Sequence, residues 1–205
     1  MEPGQSNALL EIENAALLRG GRLLFRGLSL AVAPGDAVVL TGRNGAGKSS
    51  LLRLCAGLLK PFAGSVTRHA PLALADENLA LDSEAALRDA LLFWTRIDGH
   101  HGSERADAAI AAMALEPLAR VPVRMLSTGQ RKRAVLARTL ASGAALWLLD
   151  EPANGLDQDS RTRLEAAIAV HRAEGGGVLI ASHLPVALDA ARVIAMEALA
   201  PEQTA

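Results

Sequence analysis

Ten consecutive residues, Thr41-Gly42-Arg43-Asn44-Gly45-Ala46-Gly47-Lys48-Ser49-Ser50, carry the densest chemistry in the chain. Gly42, Gly47, Lys48 and Ser49 stand at the G-x-x-x-x-G-K-[ST] spacing of a phosphate-binding loop. Glycines let the backbone fold so that successive N–H groups, from Arg43 to Ser50, aim at one anion, and a helix beginning at Lys48 adds its positive end. Lys48 would reach the β- and γ-phosphates of a bound nucleotide, ATP, and the Ser49 hydroxyl would ligate Mg²⁺. Further along, Ala144-Ala145-Leu146-Trp147-Leu148-Leu149 closes on Asp150-Glu151. After a phosphate-binding loop this has the form of a Walker B motif, in which Asp150 would hold Mg²⁺ through its shell and Glu151 would polarise the attacking water. Val178-Leu179-Ile180-Ala181 ends in Ser182-His183. A histidine just past the carboxyl end of a strand points to the face where phosphates sit in such sheets.

These groups need elements to hold them. Leu9 to Leu18 and Leu23 to Val32 read as strands separated by Gly20-Gly21, and Pro34-Gly35-Asp36 turns the chain into the strand ahead of the loop. The loop helix is expected to run to about Leu59, where Lys60-Pro61 stops it, with a turn at Ala63-Gly64. From about Asp76 to Arg124 the chain becomes alanine-rich and charge-dotted. Ser83 to Trp94 and Ser103 to Leu118 carry apolar residues three and four apart, the spacing of a helical insertion. Arg131 to Ala141 reads as a helix with Ser127 or Thr128 at its N-cap, and a last helix is expected over Asp159 to His171. Residues 1–8 and 201–205 are expected to be loose ends.

Length and composition bound the rest. At 205 residues the chain is long enough to bury a core as one domain with an insertion. Half of it is hydrophobic and its net charge is −1, which argues against a nucleic-acid binder held by bulk charge and leaves only a local basic patch open. Met1 to Gln5 lacks the pattern of a signal peptide, and no apolar run approaches the roughly 18 residues of a membrane span. Cys55 stands alone and reads as a small buried hydrophobe. His100-His101 lies between glycines and reads as solvated loop rather than metal ligand, and Arg131, Lys132 and Arg133 read as a solvated basic face.

In combination these motifs resemble those of ABC transporter ATP-binding subunits. The specific element is Leu126-Ser127-Thr128-Gly129-Gln130, similar to the LSGGQ signature, standing in order with the P-loop, Leu148-Leu149-Asp150-Glu151 and Ser182-His183. Thr41 to Gly57, Leu126 to Arg138 and Ala145 to Pro152 are most similar to the ATP-binding subunits of the haem exporters of cytochrome c biogenesis. The resemblance spans about Leu9 to Glu197. It implies an α/β fold of the ABC type of P-loop NTPase, one nucleotide-binding domain over residues 1–205, with an N-terminal antiparallel β portion and a helical insertion at about 76–125. It further implies that two copies face each other head to tail, with ATP between the P-loop of one and Ser127, Gly129 and Gln130 of the other. Asp157 would cross that interface, and His183 would contact the γ-phosphate. Integral membrane permease subunits would be the further partners, at the cytoplasmic face of the inner membrane, with neither nucleic acid nor cargo touching the chain.

Two departures stand out. The Q-loop expected within Leu72 to Leu81 holds no glutamine, Asn78 or Glu77 being the nearest substitutes, and the chain has no tyrosine to stack on adenine. Arg19 lies near the stacking position and could act by a cation–π contact, whereas Phe25 reads as core. The other readings are an ATPase for a different transporter, of a small solute or lipid, and a soluble ABC ATPase acting on nucleic acid or ribosomes.

Overall fold

The computed structural model describes residues 7–76, 80–183 and 188–200. Glu77 and Asn78, and the tail from Pro201, lie outside them. Strands β1 (Leu10–Arg19) and β2 (Arg22–Val32) form the expected hairpin. Gly20 and Gly21 both take positive φ, as a two-residue turn matched to strand twist requires. The order begins earlier than expected, since Ala8 is already buried and Leu9 N–H donates to Val32 O.

The expected turn at Ala63-Gly64 is instead the start of a strand. β4 (Ala63–Arg68) pairs antiparallel with the free edge of β1, giving a three-stranded sheet ordered β2-β1-β4. Its sequence, Ala-Gly-Ser-Val-Thr-Arg, is largely exposed and lacks alternation, so what selects a strand there is the unpaired edge of β1.

A second, parallel sheet holds five strands in the order β5-β6-β7-β3-β8: β3 (Ala37–Thr41), β5 (Leu72–Ala75), β6 (Leu146–Asp150), β7 (Gly177–Ala181) and β8 (Arg192–Ala195). Along β6, Leu146 and Leu148 enter the core shared with the antiparallel sheet, while Trp147 and Leu149 enter the core shared with the helices. β7 divides in the same way, Leu179 and Ala181 against Val178 and Ile180. Burial on both faces explains why these strands read as unbroken apolar runs.

The helices begin and end where specific groups dictate. α1 (Lys48–Cys55) is shorter than expected. Gly57, in the left-handed region, closes it with a Schellman motif in which Leu58 N–H donates to Arg53 O and Gly57 N–H to Leu54 O. α2 (Leu87–Ile97) starts four residues past Ser83 because Ala86 bridges to Pro122, and Leu87 and Arg88 donate to Val121 and Ala119. α3 (Glu104–Ala112) stops short of Leu118, as Ala114 takes φ +50° and a separate 3-10 turn follows over Glu116–Leu118. α4 (Thr128–Ala141) and α5 (Gln158–Ala173) are both longer than expected. No described helix is long and apolar enough to cross a membrane.

Candidate nucleotide site

Strand order assembles the site. β3 and β6 both lie beside β7, so the carboxyl ends of the three strands deliver the glycine-rich loop, Asp150-Glu151 and Ser182-His183 to one edge of the sheet. Gly42 (φ +139°) and Gly47 (φ +98°) hold backbone shapes that L side chains rarely adopt. Gly47 is also the N-cap of α1 and has no side chain to occupy the first-turn N–H groups, which stay open to an anion.

Lys48 is buried, and its Nζ donates to Gly42 O at 2.6 Å and Arg43 O at 3.3 Å while standing 3.9 Å from Glu151 Oε1. Ser49 Oγ donates to Asp150 Oδ1 at 3.0 Å. Glu151 takes φ +46°, unusual for a residue with a Cβ, and is held there by its N–H bond to Ala181 O. Its Oε2 accepts from both the backbone N–H and Nδ1 of His183, the latter at 2.9 Å. A cavity of about 540 Å³ is lined by Lys48, Ser49, Ser50, Glu151 and His183, with Asn44 and Arg19 at its sides. Gly42, Arg43 and Ala46 back the loop without lining that cavity, and the expected row of anion-facing N–H groups is shorter than Arg43 to Ser50, because Arg43 N–H donates to Glu197 and Ala46 N–H to Arg43 O.

Burial pushes the Asp150 carboxyl upward, against the lowering effect of the Ser49 hydroxyl, and the neighbouring Glu151 adds to the rise. The charged form is therefore disfavoured in the fold. Stability tied to Asp150 is greatest below its unfolded pKa and falls as pH rises toward the raised folded value. Asp150→Asn is accordingly expected to raise the thermal midpoint of the nucleotide-free chain at neutral pH by about 2 °C while abolishing MgATP hydrolysis. Calorimetry and phosphate release on the same sample check both halves. Ser49 Oγ and Asp150 Oδ1 are hard oxygen donors facing each other, a donor set that fits Mg²⁺ and leaves its other positions to water and phosphate oxygens.

The signature residues stand elsewhere. Ser127 is the N-cap of α4, which decides between the two expected caps. Its Oγ accepts from Gln130 N–H, and Gln130 Oε1 accepts from Ser127 N–H in a closed capping box. Asp157 caps α5 through Ser160 N–H, and the Ser160 hydroxyl together with that N–H holds its carboxyl below the usual range. None of Ser127, Gly129, Gln130 and Asp157 lines the cavity at the P-loop.

Other readings are corrected. Arg131 is exposed, as a solvated face requires, but Lys132 and Arg133 are half-buried and all three make ties: Arg131 donates to Leu126 O and Arg124 O, Lys132 to Asp150 O, and Arg133 to Met113 O and Ala114 O. They fasten the signature helix to the loop before it, to β6 and to the end of α3. His100 is not simply solvated either, since its Nε2 lies 3.0 Å from Ser142 O. Among the described residues, no three His, Cys, Asp or Glu side chains are grouped to hold a metal. Cys55 is fully buried, with its thiol pushed up to about 12 by burial, and Phe25 is core as expected. Sequence reasoning passed over Asn154, which lines the cavity, and Glu197, whose carboxylate accepts from Arg43 N–H. No motif marks either one.

A strand-held P-loop, two carboxylates on the next strand but one and a histidine on the strand between them define a class. Residues 25–154 match the ABC transporter family model, and the chain belongs to the ATP-binding subunits of that family, which couple ATP hydrolysis to transport. Within it the chain is 58% identical over 180 residues to the cytochrome c biogenesis ATP-binding export protein CcmA of Sphingopyxis alaskensis, covering 88% of this chain and 92% of that one. The CcmA of Novosphingobium aromaticivorans is 56% identical over 186 residues, covering 91% and 94%. The chain is therefore a member of the CcmA family. Its fold matches that of an ABC transporter ATP-binding protein from Pyrococcus furiosus with TM-score 0.82 at 22% identity, over 94% of this chain and 99% of that one.

Proposed function

We propose that this chain is the ATP-hydrolysing subunit of a membrane complex that exports haem, or releases it from its carrier, during c-type cytochrome biogenesis. The observation that carries the ATPase half is the convergence of Lys48, Ser49, Glu151 and His183 on one cavity, with Asp150 joined to it through its bond from Ser49 Oγ. The relatives at 56–58% identity support the cytochrome half.

In this reading Lys48 moves from the Gly42 and Arg43 carbonyls to the β- and γ-phosphates of ATP. Glu151 orients the attacking water and takes its proton, and His183 holds the γ-phosphate while its bond to Glu151 fixes the carboxylate. Ser49 and Asp150 would hold Mg²⁺, which neutralises phosphate charge when bound. Because Ser127 and Gly129 lie outside the cavity, they serve the ATP of a second copy, where the α4 N-terminus donates to the γ-phosphate and Asp157 crosses the interface. Membrane permease subunits convert closure of that dimer into movement, at the cytoplasmic face of the inner membrane.

Arg19, whose Nη1 donates to Ser50 Oγ at 3.2 Å, lies where adenine would stack over a guanidinium. Arg19→Ala is expected to raise the KM for ATP about 5-fold with kcat little changed. An unaltered KM in steady-state phosphate release removes Arg19 from the base site.

The function is tested by haem-stained denaturing gels of membranes from the native host. Covalent haem bands should vanish on deletion of the gene and return with wild type but not with Lys48→Ala. Bands that persist in the deletion strain would assign the ATPase to another transporter.

A further inference from the structure

Glu197 stands at the end of the chain's last described segment, in the 3-10 turn Met196–Leu199 that follows β8. β8 pairs in parallel with β3, Thr41 opposite Ala195, so two residues beyond this pair bring Glu197 beside the first turn of the P-loop. Its Oε1 accepts from Arg43 N–H at 2.5 Å. That N–H belongs to the Gly42–Arg43 peptide unit, whose carbonyl, Gly42 O, accepts from Lys48 Nζ at 2.6 Å. One peptide group is thus held at its two ends by opposite charges, the ammonium on its oxygen and the carboxylate on its N–H. Each bond is charge-assisted and each polarises the peptide in favour of the other.

The carboxylate reaches the loop from behind, because neither Glu197 nor Arg43 nor Gly42 lines the cavity. The approach also needs glycine at position 42, since a Cβ there would stand 2.8 Å from Glu197 Oε2. Its bond to Arg43 N–H holds the Glu197 carboxyl below the usual range, so it stays ionised throughout the neutral range.

We infer that Glu197 is a positioning residue for nucleotide binding, fixing the plane of the Gly42–Arg43 peptide and through it the loop conformation and the approach of Lys48. This rests on the P-loop being the nucleotide site. With the carboxylate gone the peptide is free to rotate, and ATP must order the loop as it binds. The contact lies at the surface, so the effect is moderate.

The test is titration of the full chain with a fluorescent MgATP analogue, together with thermal melts. Glu197→Ala is expected to weaken binding about 3- to 10-fold, as is Glu197→Asp, whose carboxylate is one methylene too short. Glu197→Gln, whose amide oxygen still accepts from Arg43 N–H, should stay within about 2-fold of wild type. kcat at saturating MgATP should change little in all three. If Glu197→Ala fails to fold, Glu197→Asp carries the comparison. Wild-type affinity in Glu197→Asp, or tighter binding by Glu197→Gln from relief of charge repulsion, overturns the inference. Failure of wild type itself to bind, or undiminished binding by Lys48→Ala, overturns instead the nucleotide reading on which it rests.

Discussion

Lys48→Ala is expected to weaken MgATP binding by about 10²- to 10³-fold. The ammonium is buried and makes two hydrogen bonds to loop carbonyls while facing Glu151. In the proposed bound state those bonds would be exchanged for charge-assisted bonds to phosphate, worth about 1.5–3 kcal/mol each. Two such bonds amount to about 3–6 kcal/mol, and the two loop bonds given up to make them offset part of this, which leaves the stated range. Alanine also strips Gly42 O and Arg43 O of their cation and leaves Glu151 without its nearby positive charge. Binding of a fluorescent ATP analogue checks the result, with calorimetric melts to show that the variant is folded. A change within 3-fold would remove Lys48 from the phosphate site.

Glu151→Gln separates binding from chemistry. ATP turnover is expected to fall about 10²- to 10⁴-fold, the contribution of a positioned general base, while MgATP affinity stays near wild type. The amide oxygen of the substituted side chain can still accept from His183, so the loop geometry at φ +46° persists, but an amide takes no proton from water. ATP then stays intact between two copies, and a dimer should accumulate in light scattering at saturating MgATP. A variant that hydrolyses ATP at the wild-type rate and remains monomeric would place the base elsewhere.

Much of this architecture is legible in the residue string. The β1–β2 hairpin, β3, β6 and β7 show as apolar runs between glycine and proline turns, because burial on one or both faces imposes that pattern. The order of the P-loop, signature, Asp150-Glu151 and His183 identifies the chemistry, because each needs particular side chains at fixed spacing. β4, β5 and β8 do not show. They are short, and β4 and β8 are mostly exposed; their reason for existing is the free edge of a neighbour. Helix ends escape local pattern where a nonlocal partner sets them, as at Ala86 with Pro122, or where Gly57 rather than the nearby proline supplies the stop.

By itself the sequence determined which residues are proposed to handle phosphate, since a glycine that must take positive φ, a lysine and a hydroxyl at one spacing serve few other purposes. Tertiary structure alone decided their company. Parallel pairing of β6 with β7 sets His183 against Glu151, and that of β3 with β8 sets Glu197 against the back of the P-loop. The same packing brings the three basic residues of the signature helix to backbone carbonyls, with Lys132 and Arg133 half-buried. Local spacing records what a side chain can do; which group it meets across more than a hundred residues of chain depends on strand order.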